Sequence, residues 1–275
     1  MRIDLHLHTT ASDGVYSPSE VVQLALTHRL EVMALTDHDN VGGVAAAEEA
    51  ANGKLQVLSG VELSAQADEE RHILGYLVDI AYPPLVDQLA LLRDSRVNRM
   101  EQMVTKLAAL GLPISFESVL QAAGDGSVGR PHLARVMLER GYVTSVQDAF
   151  NRYLGEGGPA YVPYHRLTPE AAIALIHAAG GVAVLAHPGH YVNHQAIIAA
   201  LVPHGLDGVE VYYYDHSRPV TEALYWQARR YGLLMTAGSD FHRREGDGSA
   251  RIGAVVHPDG AALIDAMHIR AAQYR

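Results

Sequence analysis

The chain has 275 residues, 48% of them hydrophobic and 19% charged, with no Cys. That composition excludes disordered and fibrous classes, disulfide scaffolds and thiolate chemistry. Lys and Arg number 21 against 31 Asp and Glu, a formal charge of −10, so a diffuse basic surface for duplex DNA is not expected.

The opening MRIDLHLH carries no basic leader, and no run approaches the ~18 apolar residues of a membrane span. A soluble, cytoplasmic protein with no membrane partner is expected. Residues 2–8 alternate, with Ile3, Leu5 and Leu7 on one face and Asp4, His6 and His8 on the other, which predicts a strand. Ser17-Pro18-Ser19-Glu20 is a capping box with Pro at the first helical position, opening a helix to about His28. A strand over 32–38, an Ala-rich helix near 42–52 and strands over 56–64 and 71–79 follow.

Residues 84–165 break this alternation. Val86, Leu89, Leu92, Met100, Met103, Val104, Leu107 and Leu110 form one helical stripe, and shorter helices are expected near 116–123, 131–140 and 145–153. About 80 residues without a strand signal exceed an ordinary connection and predict an all-helical insertion, expected to cap a barrel mouth. Helices over 168–180, 194–203, 218–231 and 260–272 then alternate with strands over 182–186, 208–214 and 233–238. About seven apolar strands between helices predict an α/β fold of parallel strands. A distorted barrel, over 1–83 and 166–275, is favoured above an open doubly wound sheet.

Metal-ligand residue types fall where strands end. His6 and His8 close the first strand, Asp37-His38-Asp39 the second and Glu62 the third, while His187 follows the fifth and Asp240 and His242 the seventh. Parallel barrels gather these ends at one mouth. Alone, an HxH reads as well as two surface histidines; the convergence from separate strands points to metal. His72 begins its strand instead. A hairpin with its tip at Ala67-Asp68 and paired positions summing to 134 would set it opposite Glu62. Imidazole and carboxylate without sulfur suit manganese foremost, with iron or zinc as alternatives. Three such ions would bring the balance from −10 to −4 and create a positive pocket for an anionic substrate. Of the 16 histidines, His132 and His190 lie beside site candidates. Eight others, His165, His177 and His216 among them, are expected to be incidental.

DLHLH, TDHD, GVE, HILGY, AHPGH and GSDFH, in this order, resemble the PHP (polymerase and histidinol phosphatase) family of amidohydrolase-like barrels. The resemblance implies a distorted (β/α)7 barrel with two or three divalent ions. His6, His8, Glu62 and Asp240 would hold one ion. Glu62, His72 and His187 would hold a second, with Glu62 bridging. Asp13, His38 and His242 would hold a third, Asp13 standing where some relatives have His.

Gly129-Arg130-Pro131-His132 in the insertion resembles the short bacterial PHP hydrolases that act on nucleotides and RNA ends. That likeness places Arg130 and His132 at a substrate phosphate, and His190 is a further candidate contact. Asp37 is expected to orient a ligating histidine through its other ring nitrogen. The activity expected is a phosphatase removing the 3′-phosphate of nucleoside 3′,5′-bisphosphates by attack of a metal-bridging hydroxide, with Glu62, Arg130 and His132 catalytic. A 5′-3′ exoribonuclease of short RNA, a histidinol-phosphatase-like enzyme and a non-catalytic metal-binding accessory module are the alternatives.

Overall fold

A computed structural model describes residues 1–124, 126–164, 166–243 and 252–275. The chain forms two compact units, Met1–Asp87 with Arg166–Arg275, and 88–165.

In the first unit, β1 (Ile3–Leu7), β2 (Val32–Leu35) and β3 (Gln56–Leu58) make a parallel three-stranded sheet. A five-stranded sheet runs β4 (Gly60–Gln66), β5 (Glu70–Tyr76), β6 (Val182–Leu185), β7 (Gly208–Tyr213) and β8 (Leu234–Gly238) in that order. Parallel bridges Leu7–Phe241 and His38–Glu62 link the two sheets, one joining the ends of β1 and β8, the other following β2 and meeting β4. Both faces of β1, β2 and β6 are buried, the pattern of strands covered on either side.

The covering helices are α1 (Pro18–Thr27), α2 (Val44–Ala51), α7 (Pro169–Ala178), α8 (His194–Leu201), α9 (Arg218–Tyr231) and α10 (Gly260–Ala271). The capping box at Ser17 and Glu20 forms as the spacing predicts, the Ser17 hydroxyl accepting from Glu20 N–H and the Glu20 carboxylate accepting from Ser17 N–H. Val21, Val22 and Ala25 of α1 pack with Leu7, Met33 and Leu35.

Three expectations change. The run 56–64 is two strands, broken at Ser59, whose hydroxyl donates to Val78 O. A side chain at Gly60 would strike the Leu35 carbonyl, so only a glycine lets the start of β4 pass this close to β2. The hairpin forms, with β5 antiparallel to β4, but β5 is antiparallel to β6 as well, so the strands outside the hairpin are not all parallel. The cause is the three-residue turn 67–69, closed by Ala67 N–H donating to Glu69 O. The same turn sets the paired positions to sum to 136 rather than 134, so Ser64 faces His72 and Glu62 faces Leu74.

The second unit holds most of α3 (Pro83–Ala109), then α4 (Phe116–Ala123), α5 (Arg130–Glu139) and α6 (Val146–Ala149). A π-helical turn over Phe150–Leu154 completes it. Met100, Met103, Leu107, Val119, Leu133, Met137 and Leu154 form its core. The stripe on α3 is buried through its middle, but Val86 near its start and Leu110 just beyond its end are exposed. No described residue of this unit belongs to a strand.

Candidate metal centre

The strand ends converge on one carboxylate. Glu62, 1% exposed on β4, has Oε2 3.3 Å from His6 Nε2, 3.2 Å from His8 Nε2 and 3.1 Å from His38 Nδ1. Its Oε1 lies 2.8 Å from His72 Nδ1 and 3.2 Å from His187 Nε2. Because β5 is reversed, its beginning lies beside Glu62, and His72 reaches that carboxylate diagonally across the hairpin. Asp240 Oδ1 lies 3.3 Å from His6 Nε2 and 3.1 Å from His8 Nε2. Asp13 Oδ1 lies 3.1 Å from His242 Nε2, and Asp13 Oδ2 lies 4.0 Å from His38 Nε2.

Donor atoms within 4.8 Å of one another fall into three overlapping groups. They are His6, His8, Glu62 and Asp240; His38, Glu62 and His72; and His8, Asp13, His38 and His242. The grouping differs in detail from the sequence reading. His38 joins the group of Glu62 and His72, and His187 approaches from one side through Glu62 alone.

These residues fit divalent ions. His6 Nε2, His8 Nε2, His38 Nδ1, His72 Nδ1 and Glu62 Oε2 are buried and make no well-aligned hydrogen bond, although they face each other across about 3 Å. Hard and borderline donors aimed at shared points without partners are what a cation would satisfy.

In the metal-free site burial opposes every charge, and the mixture of signs decides the outcome. For His8 and His72 burial lowers the pKa, but the neighbouring carboxylates raise each to about 10. His38 goes the other way, to about 3, burial outweighing Glu62 and Asp13. Burial raises Asp13, Glu62 and Asp240, yet the surrounding imidazoles hold all three well below the usual carboxylate range.

Supporting groups surround the cluster. Asp37 touches no histidine ring directly. Its Oδ1 accepts from Thr9 N–H at 2.7 Å and Ser12 Oγ at 2.6 Å, and its Oδ2 accepts from Thr9 Oγ1 at 2.8 Å. Ser12 Oγ is 3.5 Å from His8 Nδ1, so Asp37 meets that ring at one remove and mainly braces the loop carrying Asp13.

Sequence reasoning missed Glu210 on β7, fully buried, whose Oε1 lies 3.0 Å from His6 Nδ1. The available signal was an acidic residue inside the apolar run GVEV. Tyr213, also on β7, donates its hydroxyl to Asp240 Oδ2 at 3.0 Å.

Two histidines expected to be incidental have structural work. His216 Nε2 accepts from Gly189 N–H in the loop after His187, and its Nδ1 meets Val211 O. His177 Nε2 is 2.8 Å from buried Asp207. His165 lies outside the described residues. His190 is exposed, its ring stacked 5.1 Å from that of His187. On the helical unit, Arg130 opens α5 with its guanidinium 5.4 Å from the Phe150 ring, and buried His132 accepts the Gly129 N–H at Nδ1 over 2.9 Å.

Residues 4–91 match the PHP domain model. The chain is 37% identical over 248 residues to the 5′-3′ exoribonuclease Rnm of Salmonella typhimurium, covering 87% of this chain and 85% of the relative. The chain belongs to the PHP family. Another PHP relative, the 3′,5′-nucleoside bisphosphate phosphatase of Chromobacterium violaceum, is 36% identical over 91% of this chain and 90% of its own length. A solved metal-dependent phosphoesterase of Bifidobacterium adolescentis superposes with a TM-score of 0.88 at 29% identity, covering 98% of this chain and 96% of that one. This PHP protein is a metal-dependent phosphoesterase, a hydrolase, which sets aside the non-catalytic module. Among the described residues no helix is long and apolar enough to cross a membrane.

Proposed function

We propose that the protein removes the 3′-phosphate of nucleoside 3′,5′-bisphosphates. The observation carrying a phosphomonoesterase reading is the overlap of three ligand groups around Glu62, His8 and His38, which suits a cluster of two or three divalent ions, manganese foremost. The choice of substrate is supported by the likeness to the Chromobacterium violaceum enzyme over nine-tenths of both chains. In this reading the ligands are His6, His8, Asp13, His38, Glu62, His72, His187, Asp240 and His242. The bridges Leu7–Phe241 and His38–Glu62 support closure of β1, β2, β4, β5, β6, β7 and β8 into a distorted (β/α)7 barrel, with 84–165 an insertion in it.

Divalent ions held there supply Lewis acidity and an acidified water. Glu62 faces His6, His8 and His38 with Oε2 and His72 with Oε1, and so keeps two neighbouring ligand groups in register. Arg130 presents a planar fork to phosphate oxygens and offsets charge gathering in the transition state. His132 accepts at Nδ1, so Nε2 carries its proton and can donate to the leaving oxygen. Exposed His190 is assigned a contact to the bound nucleotide.

A second reading, 5′-3′ exoribonuclease on short RNA, is favoured by the equally close Salmonella relative. One assay separates them. Manganese-loaded protein is offered adenosine 3′,5′-bisphosphate, adenosine 5′-monophosphate, short 5′-phosphorylated RNA and histidinol phosphate. Release of phosphate and 5′-nucleotide from the bisphosphate is expected. Shortening of RNA with the bisphosphate untouched establishes the second reading instead.

A further inference from the structure

Strand β7 supplies no residue to the three ligand groups, yet it carries a fully buried carboxylate beside them. Glu210 Oε1 and Oε2 lie 3.0 and 3.3 Å from His6 Nδ1, and Oε2 also accepts the backbone N–H of His187 at 2.8 Å. Both oxygens are therefore committed to groups on other segments, one in β1 and one just after β6. We propose that Glu210 is the positioning residue of the metal centre, setting the ring of His6 and the backbone of His187 without itself holding an ion.

The inference rests on the reading of His6 and His187 as ligands, and three observations carry it. With the Nδ1 proton of His6 given to Glu210, the Nε2 lone pair is turned toward Glu62 and Asp240, each 3.3 Å away. His187 has φ +29° and ψ +54°, a backbone conformation that a non-glycine residue keeps only when its surroundings impose it. The Glu210 bond to its N–H is such a constraint. The wall facing this contact is Gly238, where any side chain would overlap both His6 Cβ and Glu210 Oε1. The backbone of β8 thus packs directly on the His6–Glu210 contact and leaves no room there for a side chain.

Substitution separates positioning from bulk structure. Glu210→Gln keeps the volume but removes the charge and sets an amide NH2, a donor, where one acceptor oxygen faced His6 Nδ1–H or His187 N–H. Glu210→Ala loses both. Zinc binding is measured by equilibrium dialysis against the metal alone with elemental counting, beside the melting temperature of each metal-free protein. Wild type is expected to retain at least two zinc ions, and Glu210→Gln to lose about 10- to 100-fold in affinity for at least one of them. Its metal-free melting temperature should fall less than that of Glu210→Ala, and added metal should restore its kcat. Equal affinities within twofold for wild type and both variants overturn the positioning role. If Glu210→Ala fails to fold, Glu210→Gln decides alone. A wild-type protein that retains no zinc overturns the ligand reading itself, an outcome distinct from loss in the variants only.

Discussion

Glu62 Oε1 and His72 Nδ1 stand 2.8 Å apart, diagonally across a hairpin in which each faces a different residue. Glu62 thereby spans two ligand groups. Glu62→Gln removes the charge while preserving volume. We expect phosphatase activity to fall by at least ~100-fold, with near-wild-type circular dichroism and fewer bound ions by elemental analysis. Appreciable turnover in this variant would sink the bridging role.

Most of the converging side chains were legible because β1, β2, β6 and β8 run in one direction and end together: His6, His8, His38, His187, Asp240 and His242 sit at or just past those ends, whereas Glu62 lies near the start of β4. His72 needed more. Its place depends on a reversed strand, and the register of that strand follows from a three-residue turn whose length periodicity does not encode. Glu210 escaped for another reason. A single acid in an apolar strand has no partner at any diagnostic spacing, and its partners His6 and His187 are 204 and 23 residues away. His216 and His177 were indistinguishable from surface histidines because their bonds join segments that meet only in the fold.

Removing metal should leave a protein whose stability peaks near neutral pH. His8 and His72 are raised to about 10, so their stabilisation is complete below about 6.5 and is lost as pH rises toward 10. Asp13, Glu62 and Asp240 are lowered, so theirs is present above about 4 and lost as pH falls through their folded values. His38, lowered to about 3, costs stability progressively as pH falls from about 6.5. In chelator, the melting temperature should decline between pH 6.5 and 9.5. With saturating metal the alkaline decline should flatten, since neutral imidazole is the binding form. A metal-free melting temperature that rises across that alkaline range contradicts the charge pairing described.

The same pairing makes metal uptake release protons. At pH 7 the metal-free His8 and His72 hold protons that ligation must displace. Calorimetric titration with zinc in buffers of different ionisation enthalpy should show at least two protons released per protein, and apparent affinity should rise with pH. Uptake with no net proton release would mean that these rings are not displaced.

Asp37 accepts three hydrogen bonds from Thr9 and Ser12 in a buried setting. Asp37→Ala leaves those donors without their acceptor, a loss of about 3 kcal/mol in denaturant unfolding of the metal-free protein. The loop carrying Asp13 loosens first. Ion binding should therefore weaken most for the group of His8, Asp13, His38 and His242, visible as one equivalent lost at metal concentrations that still saturate the others.

In the proposed function Arg130 and His132 meet different demands of the substrate. Arg130 carries a fixed charge, so Arg130→Ala should lower kcat/KM by about 10- to 100-fold, while bound metal stays at the wild-type count. Arg130→Lys should recover only part, because an ammonium lacks the planar fork. His132 also closes the start of α5 by accepting the Gly129 N–H, so its replacement affects fold as well as chemistry. His132→Asn retains a short acceptor for that N–H. If His132 protonates the leaving oxygen, this variant should lose kcat on a nucleoside bisphosphate but much less on a p-nitrophenyl phosphate, whose leaving group needs no proton. Equal losses on both substrates would reduce His132 to the helix start alone.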